Sequence, residues 1–313
     1  MQPDPRELAR LVDRQYGVVA RAQVMHLGGD ASFLRSQLRA GRWVRRVPGV
    51  YLTFTGKPSW NSRAMEALLY AGPGAALSHG SAAYRQEMIS RPPKTIEVSV
   101  PHTRRRSRQE GIEVLRRRDM PISQGRLRTT VAPATFVDLA SGTDDIDTIV
   151  GLASAALART HLTHLRDEID RRSRVANRTL LLEILGAVED GVESPLEYRY
   201  HRDVERRHKL PRSHLQARQV LDGLWLRADC VYPSHGVRVE LDGQLAHPNG
   251  RTDADVWRDN VALVIAKDLT LRYRWVHVAV TPCATARQVA LALRSRGWRG
   301  LAVPCGPSCA VAR

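Results

Sequence analysis

The sequence has no uninterrupted apolar run approaching the ~20 residues that cross a bilayer, and its opening stretch, MQPDPRELARLVDRQYG, is charged where a signal peptide carries an apolar core. No membrane partner is expected, and the expected compartment is the cytoplasm. Cysteine is scarce: Cys230, Cys283, Cys305 and Cys309 all fall in the last third, too few and too clustered for a secreted disulfide framework. Cys305 and Cys309 bracket Gly-Pro-Ser, but spacing points to no two further ligands and fits no common finger, so structural zinc is not expected and free thiols or a local disulfide are the reading. Acid is the third shortage. Against 48 Lys and Arg stand 32 Asp and Glu, a formal charge of +16 carried mostly by arginine. A field of that sign favours polyanions, nucleic acid above all. Codon bias in a GC-rich genome inflates arginine too, so charge alone does not decide.

At 313 residues the chain has room for two or three domains of roughly 100–200 residues each. The pattern predicts a multidomain α/β (α+β) protein divided at residues 1–56, 57–189 and 190–298, with a tail over 299–313. In the first segment RELARLVDRQYG reads as a helix with Leu8, Leu11 and Val12 on one face, and ARAQVMHLG as a second. Asp30 offers an N-cap to a third, ASFLRSQLRAG, in which Leu34 and Leu38 share a face and Ser32, Arg35, Ser36 and Arg39 occupy the rest. GRWVRRVPGVYL then gives a hairpin around Pro48-Gly49 carrying Arg42, Arg45 and Arg46. Three short helices followed by a basic hairpin form the pattern of a winged helix-turn-helix. A helix with small polar and Arg side chains can enter a major groove while the hairpin touches phosphates alongside. The bland alternative is a helical subdomain with a solvated charged face.

The middle segment mixes helices (SRAMEALLYAG, HGSAAY) with two strands, TIEVSVP and GIEVLR, joined by the basic loop RRRSRQEG, and ends in a helical run from Pro133. Ser78, His79 and Ser81 lie close together there, but a His and Ser at a helix start are more often caps than a catalytic pair. The quoted stretches GVVARAQVMHLG, LRAGRWVRRVPGVYL and LSHGSAAY resemble the N-terminal region of AbiEi-type antitoxins. That resemblance implies an antitoxin that represses its own operon and has a cognate toxin as partner.

The third segment opens at Ser194, which caps a helix with Pro195 at its first position and Glu197 closing a capping box. Strands LQARQV, LWLRADCVY and VRVELDG follow, then a charged helix over 251–269, a strand LTLRYRW and a last helix ATARQVALALRSRG, an order that predicts a mixed sheet. If the second and third strands are antiparallel neighbours, Asp229 comes near Glu240, and alternation puts Glu240 and Asp242 on one face with Val239 and Leu241 on the other. Carboxylates gathered on a sheet repel unless a cation neutralises them. The pattern therefore suggests Mg²⁺ or Mn²⁺ on Asp229, Glu240 and Asp242, with Glu197 as a further catalytic candidate. His247 is placed to handle a proton, and Arg251 and Arg258 to hold phosphates, in metal-assisted phosphodiester hydrolysis.

At SPLEYRY, LRADCVYP, VRVELDGQLAHP, DVWRDN and LRYRWVHV the chain resembles Vsr-like endonuclease-fold domains of the PD-(D/E)xK superfamily, over about residues 193–298. The resemblance implies Asp229 as the metal-binding Asp and Glu240 as the first acidic position of the motif. His247 matches the histidine after the glycine, and Asp242 stands where the family has lysine. Two readings compete: a DNA-directed, Mg²⁺-dependent endonuclease, and an antitoxin or repressor whose nuclease-fold domain is catalytically silent. RNA is not excluded as a partner, since a basic groove does not tell DNA from RNA.

Overall fold

The structure is a computed structural model that describes residues 1–189, 192, 194–221, 224–242, 257, 260, 261, 263–265 and 267–312. It is a mixed α/β protein with three sheets, in two compact units: residues 1–144 with 155–178, and residues 145–154 with 179–313.

The first unit begins with helix α1 (Pro5–Arg14), capped by the Asp4 carboxylate, which accepts from Arg6 N at 2.8 Å and Glu7 N at 3.0 Å. Strand β1 (Val18–Ala20), α2 (Arg21–His26), α3 (Ala31–Arg39), β2 (Val44–Val47) and β3 (Val50–Leu52) follow. Asp30 caps α3 as expected, accepting from Phe33 N at 2.8 Å. The hairpin of β2 and β3 turns at Gly49, whose φ of 75° suits glycine, and β1 adds to β3 to make an antiparallel sheet in the order β1-β3-β2. The third strand was not legible because Val18-Val19-Ala20 is too short to show a period. Leu8, Leu11 and Val12 pack against a small core of Val19, Val24, Leu34, Trp43 and Tyr51.

Val18, Val47, Val50 and Leu52 instead join a larger core beneath α4 (Trp60–Ala71). Each such Val or Leu contributes about 1.5–3 kcal/mol by leaving water. That core also covers β5 (Ile96–Pro101) and β6 (Ile112–Arg117), which pair in parallel, Ile96 opposite Ile112, rather than as a hairpin. Two-residue strands β4 (Ala76–Leu77), β7 (Ser123–Gln124) and β8 (Thr129–Thr130) complete a sheet ordered β6-β5-β4-β8-β7. Helices α5 (His79–Arg85), α6 (Ala132–Ala140), α7 (Ile146–Leu157) and α8 (Leu162–Arg171) follow the sequence reading.

In the second unit, α9 (Arg178–Glu189) precedes α10 (Pro195–Arg199), where Ser194 Oγ accepts from Glu197 N at 3.2 Å and donates to Glu197 Oε1 at 2.9 Å. Helix α10 continues as a π-helical segment, Tyr200–Arg206. The sheet is mixed, as expected: β9 (His214–Leu221), β10 (Leu224–Tyr232) and β11 (Val237–Asp242) run antiparallel, and β12 (Leu269–Arg274) pairs parallel to β11. Gly236, at φ 57°, ends the turn into β11. Val237, Val239, Leu241, Cys230 and Tyr232 point to one core with Tyr200, Val204 and the last helix, Pro282–Ser295. Most of the helix expected over 251–269 lies outside the described residues. Residues after Trp298 pack back: Val303 N donates to His208 O at 2.8 Å, and Cys309 is buried.

Candidate nucleic-acid interface and carboxylate site

The hydrophobic stripe of α3 faces inward through Leu34, leaving Ser32, Arg35, Ser36 and Arg39 exposed. On the adjoining hairpin, Arg42, Arg45 and Arg46 are exposed too. Aromatic contacts bind the two elements into one body: the Phe33 ring of α3 meets Trp43 edge-on at 5.7 Å, and Trp43 lies 6.3 Å from Tyr51 of β3. The seven polar positions expected from the sequence thus share a rigid support, but their electrostatics differ. Arg42 Nε is held by Gln37 Oε1 at 2.7 Å and Arg46 Nε by Glu66 Oε2 at 3.4 Å. Arg35, Arg39 and Arg45 have no ion-pair or hydrogen-bond partner among the described residues. Burial raises the Glu66 carboxyl above its ordinary value, opposed by Arg46.

On the sheet of the second unit, alternation falls as the sequence predicts: Val239 and Leu241 are buried, while Glu240 and Asp242 are half-buried on the opposite face. The β10–β11 ladder runs from Tyr232 and Val237 to Cys230 and Val239, one residue short of Asp229. The ladder ends there, and Asp229 Oδ2 accepts from Leu241 N at 2.7 Å in its place. On its other side, β10 pairs with β9 at Ala228 and Cys230 but skips Asp229, opposite which Gln216 has a φ of 48°. Asp229 therefore sits where both flanking ladders are interrupted, the kind of local irregularity that re-aims a side chain.

Asp242 is engaged differently. Arg272 Nη1 of β12 reaches Asp242 Oδ1 at 3.3 Å, and Arg272 is also the register partner of Glu240. Sequence spacing could not find this cation, because β12 lies 30 residues away and only the parallel register brings it alongside. Among the described residues, the oxygens of Asp229, Glu240 and Asp242 do not form a group lying mutually within 4.8 Å. Glu197 is buried in the first turn of α10. The Cys230 thiol is pushed well above its ordinary pKa by burial, then by Glu205, with Asp229 and Glu197 adding. His247, Arg251 and Arg258 lie outside the described residues.

Three further constellations were not assembled from the sequence, whose spacing pointed to no two further ligands for Cys305 and Cys309; the structure supplies His208 and Cys283. His208, Cys283, Cys305 and Cys309 each place one ligand atom within 4.8 Å of the others. A cleft of about 560 Å³ is lined by Tyr198, His201, Arg202, Glu205, Arg206 and Lys209. Beneath it Glu205 accepts from His201 Nδ1, from the Tyr232 hydroxyl and, at 3.2 Å, from Ser213 N. In the first unit, Asp138 is gripped by Arg117 at 2.5 Å and Arg172 at 2.6 Å, with His79 Nδ1 at 3.9 Å. Burial lowers the His79 pKa against the pull of Asp138. Ser78 occupies the N-cap position of α5, but its hydroxyl meets His79 Nδ1 at 3.1 Å instead of a helix N–H.

No protein-family model matches the chain. No curated protein matches it either. Among solved structures it is similar to the crystal structure of the RV2827C protein from Mycobacterium tuberculosis, at 19% identity and a TM-score of 0.34, over 59% of this chain and 79% of that one.

Proposed function

We propose that the chain is a duplex-DNA-binding protein in which α1 to β3 act as a winged helix-turn-helix, α3 entering the major groove and the β2–β3 hairpin resting on flanking phosphates. One observation carries the reading: Arg35, Arg39 and Arg45, on two elements locked together through Phe33, Trp43 and Tyr51, offer exposed guanidinia that no group among the described residues engages. Such groups replace counterions at phosphates and set orientation, while Ser32 and Ser36 can address base edges. Duplex RNA is disfavoured, because its deep, narrow major groove does not admit a helix. Enrichment of bound duplexes from a random-sequence pool tests the proposal: a shared sequence with contacts on one groove face supports it. Recovery of random sequence, or preference for RNA, overturns it.

A second reading, metal-dependent hydrolysis of DNA in a PD-(D/E)xK-like second unit, is favoured by Asp229 and Glu240 on the adjacent strands β10 and β11, with Arg272 the register partner of Glu240. Mg²⁺ is commonly held by one or two carboxylates, with waters and substrate phosphates completing its shell, so Asp229 and Glu240 fit it without Asp242. Bound there, it would polarise the scissile phosphate. Arg272 would steady developing charge in place of the motif's lysine. Plasmid nicking with Mg²⁺ or Mn²⁺ that disappears in Asp229→Asn supports this. Equal traces for wild type and variant favour a repressor or antitoxin whose sheet is silent.

A further inference from the structure

We propose that His208, Cys283, Cys305 and Cys309 form a tetrahedral zinc site that fastens residues 299–312 to the helices of the second unit. The four come from three places in the chain: the end of the helical segment that starts at Pro195, the first turn of the Pro282–Ser295 helix, and the stretch after Trp298. The proposal uses none of the carboxylates of the hydrolysis reading, so either can fail alone.

Distance comes first. Zn–S bonds of about 2.3 Å on a tetrahedron put neighbouring sulfurs roughly 3.8 Å apart. Cys283 Sγ and Cys305 Sγ are 3.5 Å apart, Cys309 Sγ and His208 Nδ1 are 3.9 Å apart, and one ligand atom from each residue falls within 4.8 Å of all the others. A disulfide needs sulfurs about 2.05 Å apart and joins two of them, leaving a third thiol and an imidazole unexplained.

His208 is wholly buried, and the ring nitrogen that faces the thiols is Nδ1, 3.9 Å from Cys309 Sγ and 2.9 Å from Val303 O. A metal bound at Nδ1 takes the lone pair there, so the imidazole keeps its proton on Nε2 and the carbonyl contact gives way to the metal bond.

Ligand chemistry then selects the ion. Three thiolates and one imidazole in a closed set of four suit zinc, whereas Mg²⁺ and Ca²⁺ need oxygen.

The test uses the full chain purified under reducing conditions without chelator. Elemental analysis is expected to find about one zinc per chain, as a single closed four-ligand site requires. Cobalt(II) exchanged into the site is expected to give thiolate-to-metal charge-transfer absorption and intense tetrahedral bands. Cys305→Ser alters an exposed side chain, so the fold is retained by circular dichroism while zinc affinity falls by about tenfold or more. The double variant with Cys309→Ser should lose zinc and expose residues 299–312 to protease. Absence of zinc and of the cobalt bands overturns the proposal. So does a Cys283–Cys305 disulfide in the reduced preparation, or unchanged zinc content in the double variant.

Discussion

Replacing Arg35, Arg39 and Arg45 together with alanine removes the three guanidinia of the interface that no group among the described residues engages. All three are exposed, so the fold should change by no more than about 0.5 kcal/mol per site. The binding change is far larger. Each arginine that neutralises a phosphate contributes ~0.9 to the slope of log K against log salt, so losing three should flatten the slope by about 2.7. Between 1 M and 0.1 M salt a slope of 0.9 amounts to about eightfold per contact, so the triple variant should bind about 500-fold more weakly at 0.1 M and approach wild type near 1 M. Arg42 and Arg46 must leave Gln37 and Glu66 to reach a phosphate, and their single alanine variants should shift the slope by less than ~0.9 each. Fluorescence anisotropy of a labelled duplex across a salt series reads all of these. An unchanged slope in the triple variant refutes the reasoning. So does an equal loss from Arg10→Ala, whose exposed side chain on α1 pairs with Glu7 at 2.9 Å.

Asp229→Ala should lower the unfolding free energy by about 1–3 kcal/mol, because Leu241 N loses its acceptor, while Asp229→Asn keeps an oxygen and should cost less; equal denaturation midpoints would sink that account. Burial raises the Glu97 carboxyl above its ordinary 4.5, against the hydrogen bond from Ser81 N. A raised carboxyl contributes stability that is full below the unfolded pKa and lost as pH rises through the folded one. Glu97→Gln should therefore gain on wild type as pH climbs from about 4 to 7, and parallel stability profiles would contradict the assignment. Tyr232→Phe removes the hydroxyl that donates to buried Glu205 and sits 2.9 Å from Tyr200 Oη. A urea titration should show a loss of about 1–3 kcal/mol, and no loss would mean that Glu205 does not depend on that donor.

What could be read in the sequence is what a short window encodes. Asp30 and Ser194 announce their helices because a cap acts three residues away. The faces of β11 follow from a period of two, and the hairpin of β2 and β3 from Pro48-Gly49. What escaped depends on register or on distant segments. Strands β5 and β6 were expected, but their parallel pairing is set by the path of residues 102–111 and not by composition. Arg272 reaches the acidic face through a strand whose only connection to β11 is tertiary. His208 could not be matched to Cys309, 101 residues on, because ligand spacing is informative only when the ligands share a loop.

The bond from Val303 N to His208 O spans 95 residues of chain, and it orders the making of the second unit in time. On a ribosome adding about 5–20 residues each second, β9, β10 and β11 emerge and can pair as a local meander, yet the helix end at His208 then waits roughly 3 to 12 seconds more for Val303. During that interval the parallel edge of β11 is open until Leu269–Arg274 arrives, and the imidazole of His208 lacks its carbonyl partner. The nascent chain is most exposed to misassociation in that window, so a synonymous-codon slowdown between residues 243 and 303 should lower soluble yield without altering the finished protein.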